Sequence, residues 1–258
     1  MLDHLSYSSV QLFLNNPAAW RDKYILGIRD QKTSPAALVG TAFHKYMELD
    51  WLNDEKARDT ARSIIIDSLD VDWGETGSKE KALDELDNLI WHIKQENLKI
   101  KLNIKNYGVE TLFDSKISGI KLPFISYVDF WYRDQQDALH LVDWKTLKTY
   151  NDNLIPSYKL QATIYYLQAR LILGSRPKDF TFVEVKASKN KDGSPQVRYL
   201  VYDFENKETK QEMKAIKYLI QQASKKMTSK REIYLPNIKD QYDKNAFDRF
   251  ITNYLKTL

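Results

Sequence analysis

The chain has 258 residues, with 39 Lys and Arg, 35 Asp and Glu, no cysteine, and a net charge of +4. Its composition, 43% hydrophobic and 29% charged, is that of a soluble globular protein of one large domain or two small ones. The missing cysteines exclude a disulfide scaffold, a Cys-based zinc site, a thiol nucleophile and a thiolate-held iron–sulfur cluster, and no Gly-Lys-Ser or Gly-Lys-Thr is present to build a Walker phosphate loop. The mildly basic balance permits a nucleic-acid partner without demanding one. There is no long apolar run and no signal-peptide layout, so the expectation is a cytoplasmic protein with no membrane partner.

The first 106 residues read as helical. Asn16-Pro17 has the form of an N-cap followed by proline at the first helical position, and Gly27 is a stop. Amphipathic spacing predicts further helices over 36–51, 55–69 and 80–104, with a loop over 72–78. The pattern then shortens to strands over 109–117, 122–132 and 138–144. A helix follows over 158–173, then a hairpin of strands 180–187 and 196–204 around a Lys-Asn-Lys-Asp-Gly turn. Terminal helices are expected over 207–227 and 244–255. This order predicts one α/β domain over 1–258: a helical lobe (1–106) followed by a mixed-sheet core with C-terminal helices (107–258).

The hairpin of the second and third strands carries the best candidate chemistry. If its turn centres on residue 136, Asp129 lies opposite Asp143, and Lys145 points to the same face. Ile125, Val128, Phe130, Leu141, Val142 and Trp144 surround them, and charges in such a setting are costly unless paired or metal-bound. Two carboxylates suit Mg²⁺, and an adjacent ammonium could orient a water, take its proton or neutralise developing charge. Metal-assisted phosphodiester hydrolysis fits best. Acid-x-Lys triplets are nevertheless frequent. Asp114/Lys116 and Glu184/Lys186 also fall on predicted strands, and an ordinary ion pair competes as an explanation of any of them.

Five ordered pieces carry a resemblance. Leu5-Ser6-Tyr7-Ser8-Ser9 with Asn16-Pro17 and Trp20 to Gly27 opens the chain, and Gly40-Thr41-Ala42-Phe43-His44 follows. Asp129 comes next, then Asp143-Trp144-Lys145-Thr146, then Gln161-Ala162-Thr163-Ile164-Tyr165. In this order they resemble the RecB-like exonuclease branch of the PD-(D/E)XK nuclease superfamily. The resemblance implies a restriction-endonuclease-like core and a Mg²⁺- or Mn²⁺-dependent deoxyribonuclease of DNA recombination, repair or phage DNA processing. It implies that His44, Asp129, Asp143 and the Trp144 carbonyl hold the metal and that Lys145 is the catalytic lysine. Gln161 and Tyr165 would line the site and contact DNA, with Glu110 in a second metal or water network. DNA is the implied partner, with a helicase or recombination protein beside it. Val128 and Ser126 depart from the usual Pro and Gly before the first acidic residue. Several relatives hold an iron–sulfur cluster, whereas here Asn16 stands where the first cysteine would fall. The two ends of the chain are therefore expected to be pinned by packing, through Tyr234, Tyr242, Phe247 and Phe250. Lys186, Lys189, Lys191 and Arg198, and Lys225, Lys226, Lys230 and Arg231, are the candidate DNA-contacting clusters. A non-cleaving DNA-binding protein on the same fold and a site-specific endonuclease are the competing readings.

Overall fold

The computed structural model describes residues 2–29, 32–150, 153–229, 234–236, 248–249 and 251–252. Eight helices and five strands are assigned among them. Helix α1 (Tyr7–Asn15) starts on a reciprocal cap in which Ser6 and Ser9 satisfy each other's backbone amides. Helix α2 (Pro17–Tyr24) starts on the Asn16 side chain with Pro17 at its first turn, as its sequence implies. Helices α3 (Pro35–Trp51), α4 (Ala57–Ile66) and α5 (Lys79–Glu96) follow.

The helix expected over 80–104 stops early. Asn97 turns left-handed at φ 49°, a short α6 (Leu98–Lys101) intervenes, and β1 already begins at Ile104. No glycine marked this break; asparagine supplied the left-handed cap instead. The boundary expected after residue 106 thus falls inside β1 (Ile104–Ser115). Strands β2 (Phe124–Asp134) and β3 (Leu139–Leu147) form the expected hairpin. Helix α7 (Pro156–Ile172) leads to β4 (Pro177–Lys186), β5 (Val197–Asp203) and α8 (Lys207–Met227). Most of the helix expected over 244–255 lies outside the described residues, as do Tyr242, Phe247, Phe250, Lys230 and Arg231.

The sheet order is β1-β2-β3-β4-β5. Only β3 and β4 run parallel, joined across α7, so the sheet is mixed. Helices cover both faces. Phe113, Val128, Leu141, Phe180 and Phe182 pack with α1, α2, α7 and α8, while Phe130, Val142, Trp144, Val183 and Val185 pack with α3, α4 and α5. The N-terminal helices are therefore divided between the two faces of the sheet. Among the described residues, no helix is long and apolar enough to cross a membrane.

The chain ends meet without sulfur. Tyr234 packs against Phe13 and Trp20, and the Ala18 amide donates to the Leu235 carbonyl at 3.2 Å. The buried Asp22 carboxylate takes Arg21 on one oxygen and Arg249 on the other, at 2.8 and 2.7 Å.

Candidate active site

The site begins where β2 and β3 part. Their ladder pairs Arg133 with Leu139 and closes with Phe130 against Val142, the register expected from a turn centred on residue 136. One step further the backbones separate. The Trp144 amide then donates to Asp129 Oδ2 at 2.9 Å, so a carboxylate takes the place of a ladder carbonyl.

Asp129 also sits where the strand alternation breaks. Val128 faces the α7-side core, yet Phe130, two residues on, faces the α3-side core. Across the sheet, β1 pairs Val109 with Phe130 and Thr111 with Val128, which sets Glu110 opposite Asp129. Glu110 adopts φ 43°, an unfavourable backbone for a residue with a Cβ. A regular strand pair would send these two carboxylates along the alternation of their neighbours; the break turns them into the seam.

Each helical layer contributes one side chain. From α3, His44 Nδ1 comes within 3.1 Å of Asp129 Oδ2. Gly40, one turn earlier, lets this helix approach: a Cβ there would lie 3.3 Å from the Thr146 hydroxyl on β3. From α7, Gln161 Nε2 donates to Asp143 Oδ1 at 2.5 Å. Lys145 Nζ meets Asp143 Oδ2 at 2.6 Å and lies 5.8 and 5.9 Å from the ring centroids of Tyr158 and Phe182.

The electrostatics follow from these neighbours. Burial works against the charge of Asp129, but His44, Lys145 and the Trp144 amide overcome it and hold the carboxyl below its ordinary range. Asp143 is raised, by burial first and by repulsion from Asp129, with Lys145 offsetting only part. Lys145 is itself raised: burial opposes its charge, but Asp143 outweighs burial. His44 is pushed up to about 9, because Asp129 and Asp143 outweigh the cost of burying an imidazolium. Glu110 is pushed up to about 7 by burial and by the Asp129 charge.

His44, Glu110 and Asp129 each present a donor atom within 4.8 Å of the others, a grouping that could hold a metal ion. Glu110, which the resemblance assigned to a second metal or water network, lies in this group, while Asp143 is engaged by Lys145 and Gln161. The Trp144 side chain is buried in the α3-side core, and its backbone amide donates to the Asp129 carboxylate. Gln161 and Tyr165, expected at a DNA-contacting edge, are 2% and 6% exposed, and the Tyr165 hydroxyl donates to the Tyr127 carbonyl at 3.1 Å. Glu184 is an ordinary buried ion pair: it faces Arg198 in register and accepts its Nε at 3.0 Å.

Sequence reasoning missed two neighbours. Tyr7, held by Ser157, lies within the electrostatic reach of Lys145 and Asp143, and Tyr158 flanks the lysine. Tyr7 lies within the Leu5–Ser9 segment that opens the chain, and Tyr158 one turn before Gln161 on the same helix; both positions carry a signal.

A mixed sheet covered on both faces, with a carboxylate pair and a lysine at the point where two central strands part, defines the class of the protein. The family model of the PD-(D/E)XK nuclease superfamily matches residues 4–246, and the chain belongs to that superfamily. Among solved structures, one described as "Crystal structure of SSO0001" is 12% identical, covering 83% of this chain and 85% of that one, with a TM-score of 0.35. No curated protein matches the chain.

Proposed function

We propose that the protein is a Mg²⁺- or Mn²⁺-dependent DNA nuclease of the RecB-like branch, an exonuclease acting in DNA recombination, repair or phage DNA processing. The observation that carries this reading is the meeting, at one seam, of the Asp143–Lys145 pair with the His44, Glu110 and Asp129 donors.

The donor set fits a divalent cation. Two carboxylates and an imidazole are oxygen and nitrogen donors, and the crowding that raises Glu110 is the repulsion a dication would relieve. His44, Glu110 and Asp129 would hold the ion, and the family resemblance adds Asp143 and the Trp144 carbonyl. When bound, such an ion supplies Lewis-acid polarisation of the phosphate and a water of lowered pKa.

The remaining work belongs to the chain. Lys145 lies against Asp143, so its ammonium is placed to donate to the attacking water or to a phosphate oxygen and to offset the charge that develops there. Gln161 fixes one Asp143 oxygen, and the Trp144 amide fixes one Asp129 oxygen, so both carboxylates are oriented before substrate arrives. In our reading Gln161 and Tyr165 position the site and leave DNA contact to other residues.

Linear and covalently closed circular DNA, each incubated with Mg²⁺ and with EDTA, test the proposal. The linear form is expected to be degraded progressively and the circle spared. Discrete fragments from the circle would replace the exonuclease with an endonuclease. An absence of EDTA-sensitive degradation, or full activity in Asp143→Ala and Lys145→Ala, would remove the nuclease reading.

A further inference from the structure

Beyond Lys145 the sheet carries a row of cations and rings. Lys145 pairs in register with Glu184, and Leu147 with Lys186. Lys186 therefore stands one strand over and two residues further on, about 5 Å across and about 7 Å along. Between them Glu184 is consumed by the Tyr158 hydroxyl at 3.0 Å and by Arg198. The Arg198 guanidinium lies 4.5 Å from the Tyr150 ring centroid, and the Lys186 ammonium 4.9 Å from the same centroid. Three residues beyond the end of β4, the Lys189 ammonium lies 5.0 Å from the Trp91 ring centroid.

These two lysines differ from most cations near the site. Among the described residues, neither Lys186 nor Lys189 forms an ion pair with a carboxylate, whereas Lys145 and Arg198 both do. A ring orients an ammonium without neutralising it, so the charge stays available to a phosphate. Tyr150 and Trp91 are each only partly buried. Cations interleaved with aromatic rings suit an unpaired strand, whose phosphates meet the charges and whose bases stack without sequence preference.

We propose that Tyr150 and Lys186, followed by Trp91 and Lys189, form the track that receives a single-stranded DNA end and leads it to Lys145. The proposal rests on the nuclease reading for its substrate, but its test does not depend on cleavage. Binding of a fluorescent oligothymidylate by the full chain in EDTA is followed by anisotropy across a salt series. Lys186→Gln with Lys189→Gln is expected to weaken binding about tenfold and to lower the slope of log affinity against log salt by about 0.7 per lysine. Tyr150→Leu with Trp91→Leu is expected to weaken binding similarly and leave the slope unchanged. Both variants are expected to hydrolyse bis(4-nitrophenyl) phosphate, a diester too short to reach the track, at the wild-type rate with Mn²⁺. Wild-type oligonucleotide affinity in the variants, or equal affinity of the wild type for blunt duplex, overturns the proposal. So does a loss of small-diester hydrolysis matching the loss on DNA, which would assign these residues to the integrity of the site. A wild type that binds the strand but cleaves no DNA would instead end the nuclease reading and leave the track standing.

Discussion

At the scale of single residues, Asp143 and Lys145 are a buried pair whose removal can be made to separate stability from chemistry. The Asp143 side chain is 3% exposed and accepts from both Lys145 and Gln161. Asp143→Asn leaves the lysine charge short of its partner in a low-dielectric setting, which costs about 3 kcal/mol. Lys145→Met leaves Asp143 beside Asp129 without its adjacent cation, which raises the Asp143 carboxyl further and favours its neutral form. The double variant Asp143→Asn/Lys145→Met removes both charges. It is expected to recover at least half of the stability lost in Asp143→Asn while remaining without nuclease activity. Urea unfolding of the three variants beside a nuclease assay checks this. A double variant as unstable as the worse single would mean that the pair is not the coupled unit described here. The sequence made this pair legible because both residues sit on one strand at a spacing of two, and because the hairpin turn fixes where Asp129 falls. It could not show that Glu110 belongs with them. Its approach depends on a left-handed backbone at a non-glycine position, and no residue type announces that.

At the scale of elements, the site is a matter of how closely α3 and α7 approach the opened strands. Helix α7 was readable from its periodicity, and its Gln161 reaches Asp143 across a short span. The approach of α3 depends on Gly40, which in an otherwise helix-favouring segment costs about 1 kcal/mol relative to alanine and is compensated by close packing on β3. Gly40→Ala would place a Cβ 3.3 Å from the Thr146 hydroxyl, which a rotation of that side chain relieves. Gly40→Val adds two methyl groups against the strand and must move the helix. The expected outcome is graded. Gly40→Ala keeps near-wild-type activity and melts no lower than the wild type. Gly40→Val loses activity at least tenfold, through a larger metal requirement, because His44 moves with the helix. Activity titrated against Mn²⁺ for both variants checks it, and an unchanged Mn²⁺ requirement in Gly40→Val would dissociate this glycine from His44. Element boundaries were less legible where side chains substitute for glycine. Asn97 ends α5 at a point where the apolar spacing runs on, so the strand start at Ile104 was hidden inside an amphipathic pattern.

At the scale of the whole molecule, the seam joins the two layers. His44 belongs to the α3 layer, Gln161 to the α7 layer, and Glu110, Asp129 and Asp143 to the sheet between them. An ion held by His44, Glu110 and Asp129 would therefore tie one helical layer to two strands and be lost on unfolding, so it stabilises the native state by mass action. At about 100 times its dissociation constant it adds about 2.7 kcal/mol, which in a chain of this size is a rise in Tm of about 5–10 °C. The sign of the pH effect follows from the two raised groups. A proton on His44 or Glu110 occupies the lone pair that the ion needs, and their pKa values are about 9 and about 7. Below pH 7 both protons must leave when the ion binds; between 7 and 9 only that of His44; above 9 neither. The Mn²⁺-induced rise in Tm should thus be small at pH 6 and grow through pH 8. Glu110→Gln should remove the smaller part of the growth between pH 6 and 7.5 and leave the larger part, which the His44 proton carries up to pH 9, and Asp129→Asn should abolish the shift at every pH. Thermal melts with and without Mn²⁺ across this range check the linkage. A shift that is flat in pH, or that survives Asp129→Asn, would place the ion elsewhere on the molecule.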